Sequence, residues 1–257
     1  MKNVCAALLE AKIENMHRLR KPHVEDTMRR RIERIVKKIF LKLGYAILPS
    51  SDLSNERVVE YPWVLRRIAM CEGGILDVGC SGSDLSVKLA NQGLKVYGID
   101  IYKKDLHAQG HPNFSFVLCD VRWLPFVDNS FDFVIAVSTI EHIGIGYYGD
   151  LEDYEGDEKA VKEFLRVCNK MGKTFITVPY GKYAITSTQR TYDGQTLRRL
   201  VKGIGAEVQV EYFKKHDHFW LKSDQATAEQ VGSSSKVRSV ACITLVKDNE
   251  NASLQTQ

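Results

Sequence analysis

Three carboxylates end three successive apolar runs of this 257-residue chain: Asp77 in Ile75-Leu76-Asp77-Val78-Gly79, Asp100 after Lys95–Ile99, and Asp120 after Phe114–Cys119. A carboxylate offers two accepting oxygens. Asp100, 23 residues beyond Asp77, is spaced to accept both hydroxyls of an adenosine ribose. Asp120 is placed to accept an exocyclic ring amine, with Val121 beside the ring. Asp77 precedes a loop, Gly79-Cys80-Ser81-Gly82, in which Gly79 lets backbone approach a ligand closely and Gly82 permits a tight turn. An acid at that point repels a pyrophosphate and favours a ligand with a positive end. S-adenosyl-L-methionine (SAM), which carries a sulfonium and an ammonium, meets all three demands.

A second set of residues could move a proton. Ser138-Thr139-Ile140-Glu141-His142 follows a fourth apolar run. An imidazole titrates near neutrality, so His142 is the candidate general base and Glu141 its orienting partner. A structural pair lining the pocket is the competing reading. The segment from Gly144 to Asp157 is long for a connection and holds Tyr147, Tyr148 and Tyr154. Long loops of this kind often act as lids. Tyr148 and Asp150 are therefore expected to face an acceptor, joined by Tyr180 and Arg190 from beyond the fifth run, where Arg190 could hold an anionic group or pair with the acidic loop. Asp150 and Asp157 show no diagnostic ligand spacing, and no metal is assigned.

The elements that must position these groups follow from periodicity. Strands are expected at 75–78, 95–99, 114–119, 131–138, 173–178, 207–213 and 237–246, and helices at 84–92, 157–168 and 194–202. Strands alternating with helices imply a parallel sheet covered on both faces. The fold class is α/β: a Rossmann-like, seven-stranded, doubly wound sheet. Only the polar stretch Lys222–Lys236, with no convincing helix, separates the last two strands, which makes the final strand antiparallel. Ligands in such sheets bind beyond the carboxyl ends of the strands, where the three acids lie.

Composition is that of a soluble globular chain, with 44% hydrophobic and 26% charged residues, which argues against a disordered protein. No apolar run approaches the ~20 residues of a membrane span, and Glu10 and Lys12 cut short the only early apolar stretch, so a cytoplasmic protein without signal peptide is expected. The six cysteines are scattered with no zinc spacing and are expected to be reduced thiols. The net charge of +4 conceals an asymmetry: residues 1–45 hold twelve Lys and Arg against five acids. Within them 26–43 has the spacing of a basic amphipathic helix, a candidate contact for a membrane surface or a protein, although a solvated face is the commoner outcome. The division expected is a helical extension at 1–70, a SAM-binding domain at 71–247 and a disordered tail at 248–257.

Residues 74–213 resemble a class I SAM-dependent methyltransferase. The resemblance rests on Leu76-Asp77-Val78-Gly79-Cys80, Asp100, Asp120 with Leu124-Pro125-Phe126, Asn129-Ser130-Phe131-Asp132-Phe133-Val134-Ile135, Glu141-His142 and Arg166-Val167. A narrower likeness, over Arg57-Val58-Val59-Glu60-Tyr61, Ser138 to Gly144 and Thr177-Val178-Pro179-Tyr180-Gly181, is to methyltransferases that accompany glycan and polysaccharide assembly. The resemblance implies that Gly79, Cys80, Ser81 and Gly82 cradle the methionine part of SAM. Asp100 with Ile101, and Asp120 with Val121, would then take ribose and adenine, and Ser138 would close the pocket. Ser81 and Ser83 stand where the family usually has glycine. The activity implied is methyl transfer to a hydroxyl or similar nucleophile of a small molecule or glycan (EC 2.1.1.-). A non-catalytic SAM-binding subunit, an NAD-dependent oxidoreductase and a nucleic-acid methyltransferase remain as alternatives. Asp77 disfavours the oxidoreductase, and the absence of an Asn-Pro-Pro-aromatic loop after the fourth run disfavours nucleic acid. The oligomeric state is left open.

Overall fold

A computed structural model of the chain describes residues 55–68, 74–216, 219–232 and 236–247. The expected basic helix at 26–43 and the tail at 248–257 lie outside the described residues. In chain order the elements begin with α1 (Arg57–Leu65), β1 (Ile75–Val78), α2 (Leu85–Ala90), β2 (Val96–Asp100), β3 (Phe114–Leu118) and β4 (Phe131–Val137). A single 3₁₀ turn (Ile140–His142) precedes α3 (Gly156–Val167), β5 (Cys168–Pro179), β6 (Ala184–Ile185), β7 (Arg190–Thr191) and α4 (Gly194–Leu200). The remainder is β8 (Ala206–His216), β9 (Phe219–Ser223), α5 (Gln225–Glu229) and β10 (Ser239–Lys247).

The main sheet runs in the order β3-β2-β1-β4-β5-β10-β8-β9. The five strands from β3 to β5 are parallel, and β10 is antiparallel to both β5 and β8. Strand order reverses between β1 and β4, so the loops after these two strands flank the switch point where ligands bind. Central strands are apolar without alternation because both faces are covered. All four residues of β1 are buried, and Asp77 is the one charged group among them.

Two elements depart from expectation. The sheet has eight strands, because Phe219–Ser223 forms a hairpin with β8 and sinks Trp220 into the interior. The connection expected to lack a helix contains α5, started by Asp224, whose carboxylate accepts the Thr227 N–H at 2.8 Å. At five residues, α5 is too short to leave an amphipathic signature. A second difference concerns the start of the domain. α1 packs on the sheet through Trp63, whose ring meets Phe175 edge-on at 5.7 Å and whose indole N–H donates to Glu211 of β8 at 2.9 Å. Its buried face makes α1 part of the domain core, although it precedes residue 71.

Candidate active site

The loop after β1 is held from both sides. Gly79 has φ +72°, and a Cβ there would sit 2.5 Å from Thr139 Oγ1. That hydroxyl donates to the carbonyls ending β1 and β4, Val78 and Val137, each at 3.1 Å. Close apposition of the two strand ends therefore demands glycine at 79. Gly82, also at positive φ, has open space where a side chain would begin. Ser81 does what a glycine could not: its hydroxyl donates to the Tyr102 carbonyl at 2.8 Å. Its backbone N–H donates to Asp100 Oδ2 at 3.0 Å. The other Asp100 oxygen accepts the Tyr102 N–H at 3.0 Å, so each oxygen keeps a lone pair for a ribose hydroxyl. Cys80 is buried at 2% exposure and lies under the loop, and Ile101 and Val121 are half-buried beside the two acids.

Asp77 is buried, with Ser86 Oγ donating to it at 2.5 Å and no ion pair among the described residues. Burial pushes its carboxyl up to about 7, partly opposed by Ser86 and by the charge of Arg57. A buried acid without a cation is the environment a cationic ligand completes, so the residues present fit SAM. Asp120 is more constrained than expected. Both its oxygens accept from Arg122, at 3.0 Å (Nε to Oδ1) and 2.6 Å (Nη2 to Oδ2). Burial would raise Asp120, but these bonds hold it below the usual carboxylate range. Only its remaining lone pairs are left for an adenine amine. Arg122 is itself buried and reaches across to the Leu151 carbonyl at 2.9 Å, tying the loop that holds Leu151 to Asp120.

Beyond β4 the backbone is strained. Ser138 has φ +43°, rare for a residue with a Cβ, and its N–H donates to Thr177. Its hydroxyl donates to Glu60 Oε1 at 2.9 Å, and Glu60 pairs with Arg57 at 2.8 Å. On the same helix, Tyr61 shares a hydrogen bond of 2.9 Å with Ser83. α1 thus spans the loops after β1 and β4. Arg57, Glu60 and Tyr61 were not expected at the site. The available signal was an acid, Glu60, set among apolar helical positions.

Glu141 is 1% exposed, its Oε2 has no partner, and burial raises it to about 8. His142 lies beside it, Nε2 to Oε1 3.9 Å. Burial lowers the imidazole, so at neutral pH the two are a carboxylic acid and a neutral ring rather than a salt bridge. His142 Nδ1 sits 2.6 Å from the Thr188 carbonyl. A carbonyl can only accept, so Nδ1 carries the proton and Nε2 keeps a free lone pair. Tyr148 meets the His142 ring edge-on at 5.4 Å and approaches Tyr102 at 6.1 Å.

Not every expected acceptor residue is available. Asp150 turns inward, accepting the Gly144 N–H at 2.6 Å. Tyr180 is 1% exposed and donates to Glu229 of α5. Arg190 is 2% exposed, bonds the Ile143 carbonyl at 2.5 Å and faces Asp157 at 4.0 Å. Both are interior braces, correcting their expected place at the acceptor surface. Asp157 also accepts from the buried Tyr192 hydroxyl at 2.8 Å.

Residues 76–176 match the family described as "Methyltransferase domain". The match runs from β1 into β5, the strands whose ends carry the candidate site. The cofactor is SAM. The chain is 26% identical over 194 residues to the ubiquinone/menaquinone biosynthesis C-methyltransferase UbiE of Rickettsia akari, covering 65% of this chain and 73% of that protein. A SAM-dependent methyltransferase from Methanosarcina mazei shares the fold, with TM-score 0.53 and 16% identity over 72% of this chain and 98% of that one. So does phosphoethanolamine N-methyltransferase 2 of Haemonchus contortus, solved with SAM, with TM-score 0.53 and 17% identity over 74% of this chain and 52% of that one. No described helix of the chain is long and apolar enough to cross a membrane.

Proposed function

We propose that this protein transfers the SAM methyl group to a hydroxyl or similar nucleophile of a small molecule or glycan, with His142 taking the acceptor proton. The observation that supports this most strongly is the His142–Thr188 bond at 2.6 Å, which leaves Nε2 as an accepting nitrogen on a side chain about one quarter exposed. SAM supplies an already activated methyl carbon, so the chain's work is to orient and to remove a proton. Asp77 balances the positive end of the cofactor, Asp100 and the Ser81 loop hold the ribose, and Asp120 takes the adenine side. His142 Nε2 receives the acceptor proton as the new bond forms. Glu141, held neutral by burial, keeps a second charge away from that proton transfer.

A glycan or other ring-bearing acceptor is favoured by the ring of Tyr148, 41% exposed beside His142, and by that of Tyr147, 55% exposed against Tyr148. The domain in this reading begins before Arg57, and the basic segment 1–45 serves as a contact for a membrane surface or a protein. A reducing, cytoplasmic setting suits the free thiols of Cys80, Cys119, Cys168 and Cys242. The test is calorimetric titration with SAM, followed by transfer of labelled methyl to a panel of glycans and hydroxylated metabolites, read by mass. SAM binding with transfer to a hydroxyl supports the reading. SAM binding with no transfer across the panel points to a non-catalytic SAM-binding subunit, and no SAM binding overturns the reading outright.

A further inference from the structure

The amino-acid end of SAM is a zwitterion, and the loop after β1 supplies a partner for only one of its charges. Asp77 is the buried acid for the ammonium side. The carboxylate needs a cation or a set of N–H donors, and Arg57 is the basic residue placed to provide it. α1 is pinned to the loops after β4 and β1 by two adjacent residues: Glu60 accepts from Ser138 and Tyr61 bonds Ser83, each at 2.9 Å. Arg57, three residues before one and four before the other, neighbours both, with its guanidinium carbon 5.8 Å from the Tyr61 ring centre. Its bond to Glu60 uses Nη1 alone, and about a third of its side chain is exposed. A guanidinium has five donors in a planar fork, so this one retains the pair that a carboxylate takes in bidentate fashion.

We infer that Arg57 binds the α-carboxylate of SAM, with Glu60 as the positioning residue that aims it. The inference rests on the SAM-binding reading above. The bond of Arg57 to Glu60, which holds Ser138, and its approach to Tyr61, which holds Ser83, set it beside the loops after β4 and β1. Asp77 and Arg57 then read the two ends of one zwitterion. Ligands that keep the adenosine but lack the carboxylate gain nothing from Arg57.

The test compares three ligands, SAM, decarboxylated SAM and 5′-methylthioadenosine, on the full chain and its Arg57→Gln and Arg57→Lys variants by calorimetry. Arg57→Gln should weaken SAM about 10- to 100-fold, the range of a charge-assisted pair. Decarboxylated SAM and methylthioadenosine should change less than about threefold on the same energy scale. Arg57→Lys should fall between, keeping the charge without the fork. Unchanged binding of the two truncated ligands also shows that the variant is folded. An equal loss for all three ligands, or no loss for SAM, overturns the inference while leaving the SAM reading intact. Failure of the unaltered protein to bind SAM overturns both.

Discussion

Thr139 Oγ1 occupies the space that a side chain at Gly79 would need, 2.5 Å from where its Cβ would stand. The hydroxyl is held there by the carbonyls of Val78 and Val137, so the two strand ends meet across this one contact. Gly79→Ala should therefore lose SAM binding in calorimetry and melt at a lower temperature. The positive φ alone costs about 1 kcal/mol, and the clash adds to it. Thr139→Ala added to Gly79→Ala should recover part of the loss. Strict additivity in that double-mutant cycle would show that the contact does not couple the two loops.

Asp77 should make SAM binding depend on pH. Its carboxyl is raised from an ordinary 3.8 to about 7 by burial, so between those values the folded protein binds the proton and the unfolded chain does not. Stability contributed by the group is present below pH 3.8 and is lost as pH rises through 7. A positively charged ligand reverses the preference by favouring the ionised acid. SAM binding at pH 6 should release a proton, seen as a heat that depends on the ionisation enthalpy of the buffer. Asp77→Asn should abolish the release, weaken SAM and flatten the pH dependence of the melting temperature. Proton release unchanged in Asp77→Asn would assign it to another group.

The sheet and the cofactor loop were legible because both rest on local pattern. Central parallel strands read as short apolar runs, and the acids interrupting their ends stand out against them. What stayed hidden was long-range burial. Arg190 and Tyr180 looked like acceptor contacts because they are polar and follow β5. Sequence does not show that Arg190 folds back onto the Ile143 carbonyl or that Tyr180 is covered by α5. The role of α1 was equally invisible, since Glu60 and Tyr61 reach loops 78 and 22 residues away. β9 escaped because its pairing with β8 is a tertiary fact, whereas its five residues carry little pattern.

His142 and Glu141 should separate in their pH behaviour. His142→Gln should lower kcat by about 10²- to 10⁴-fold with little change in SAM affinity, the range for loss of a general base. In the unaltered enzyme the acid limb should lie below the usual imidazole value of 6.5, because burial disfavours the charged ring. Glu141 is already protonated at pH 7, so Glu141→Gln should be mild there. The carboxyl is raised from 4.5 to about 8, so its stability contribution is present below 4.5 and lost as pH rises through 8. Thermal melts of Glu141→Gln from pH 5 to 9 should show that loss removed. A His142→Gln enzyme with unaltered kcat would assign the pair a structural role.

Arg122 couples Asp120 to the loop that carries Tyr148. It is buried, chelates Asp120 with two nitrogens and bonds the Leu151 carbonyl with a third, while Asp153 stands 3.5 Å away. Breaking a fully buried pair costs about 3–5 kcal/mol. Asp120 is about one quarter exposed and can rehydrate, so Arg122→Ala should cost about 2 kcal/mol in denaturant unfolding. The local effect should be larger than the global one. Amide exchange should quicken between residues 144 and 153, where the chain depends on Arg122 for its anchor, and change little in β4 and β5. Arg122→Lys keeps the charge but not the fork, so exchange in the loop should still quicken although much of the stability returns. Equal protection of the loop in all three proteins would mean that the contacts of Gly144 with Asp150 and Asp153 hold it unaided.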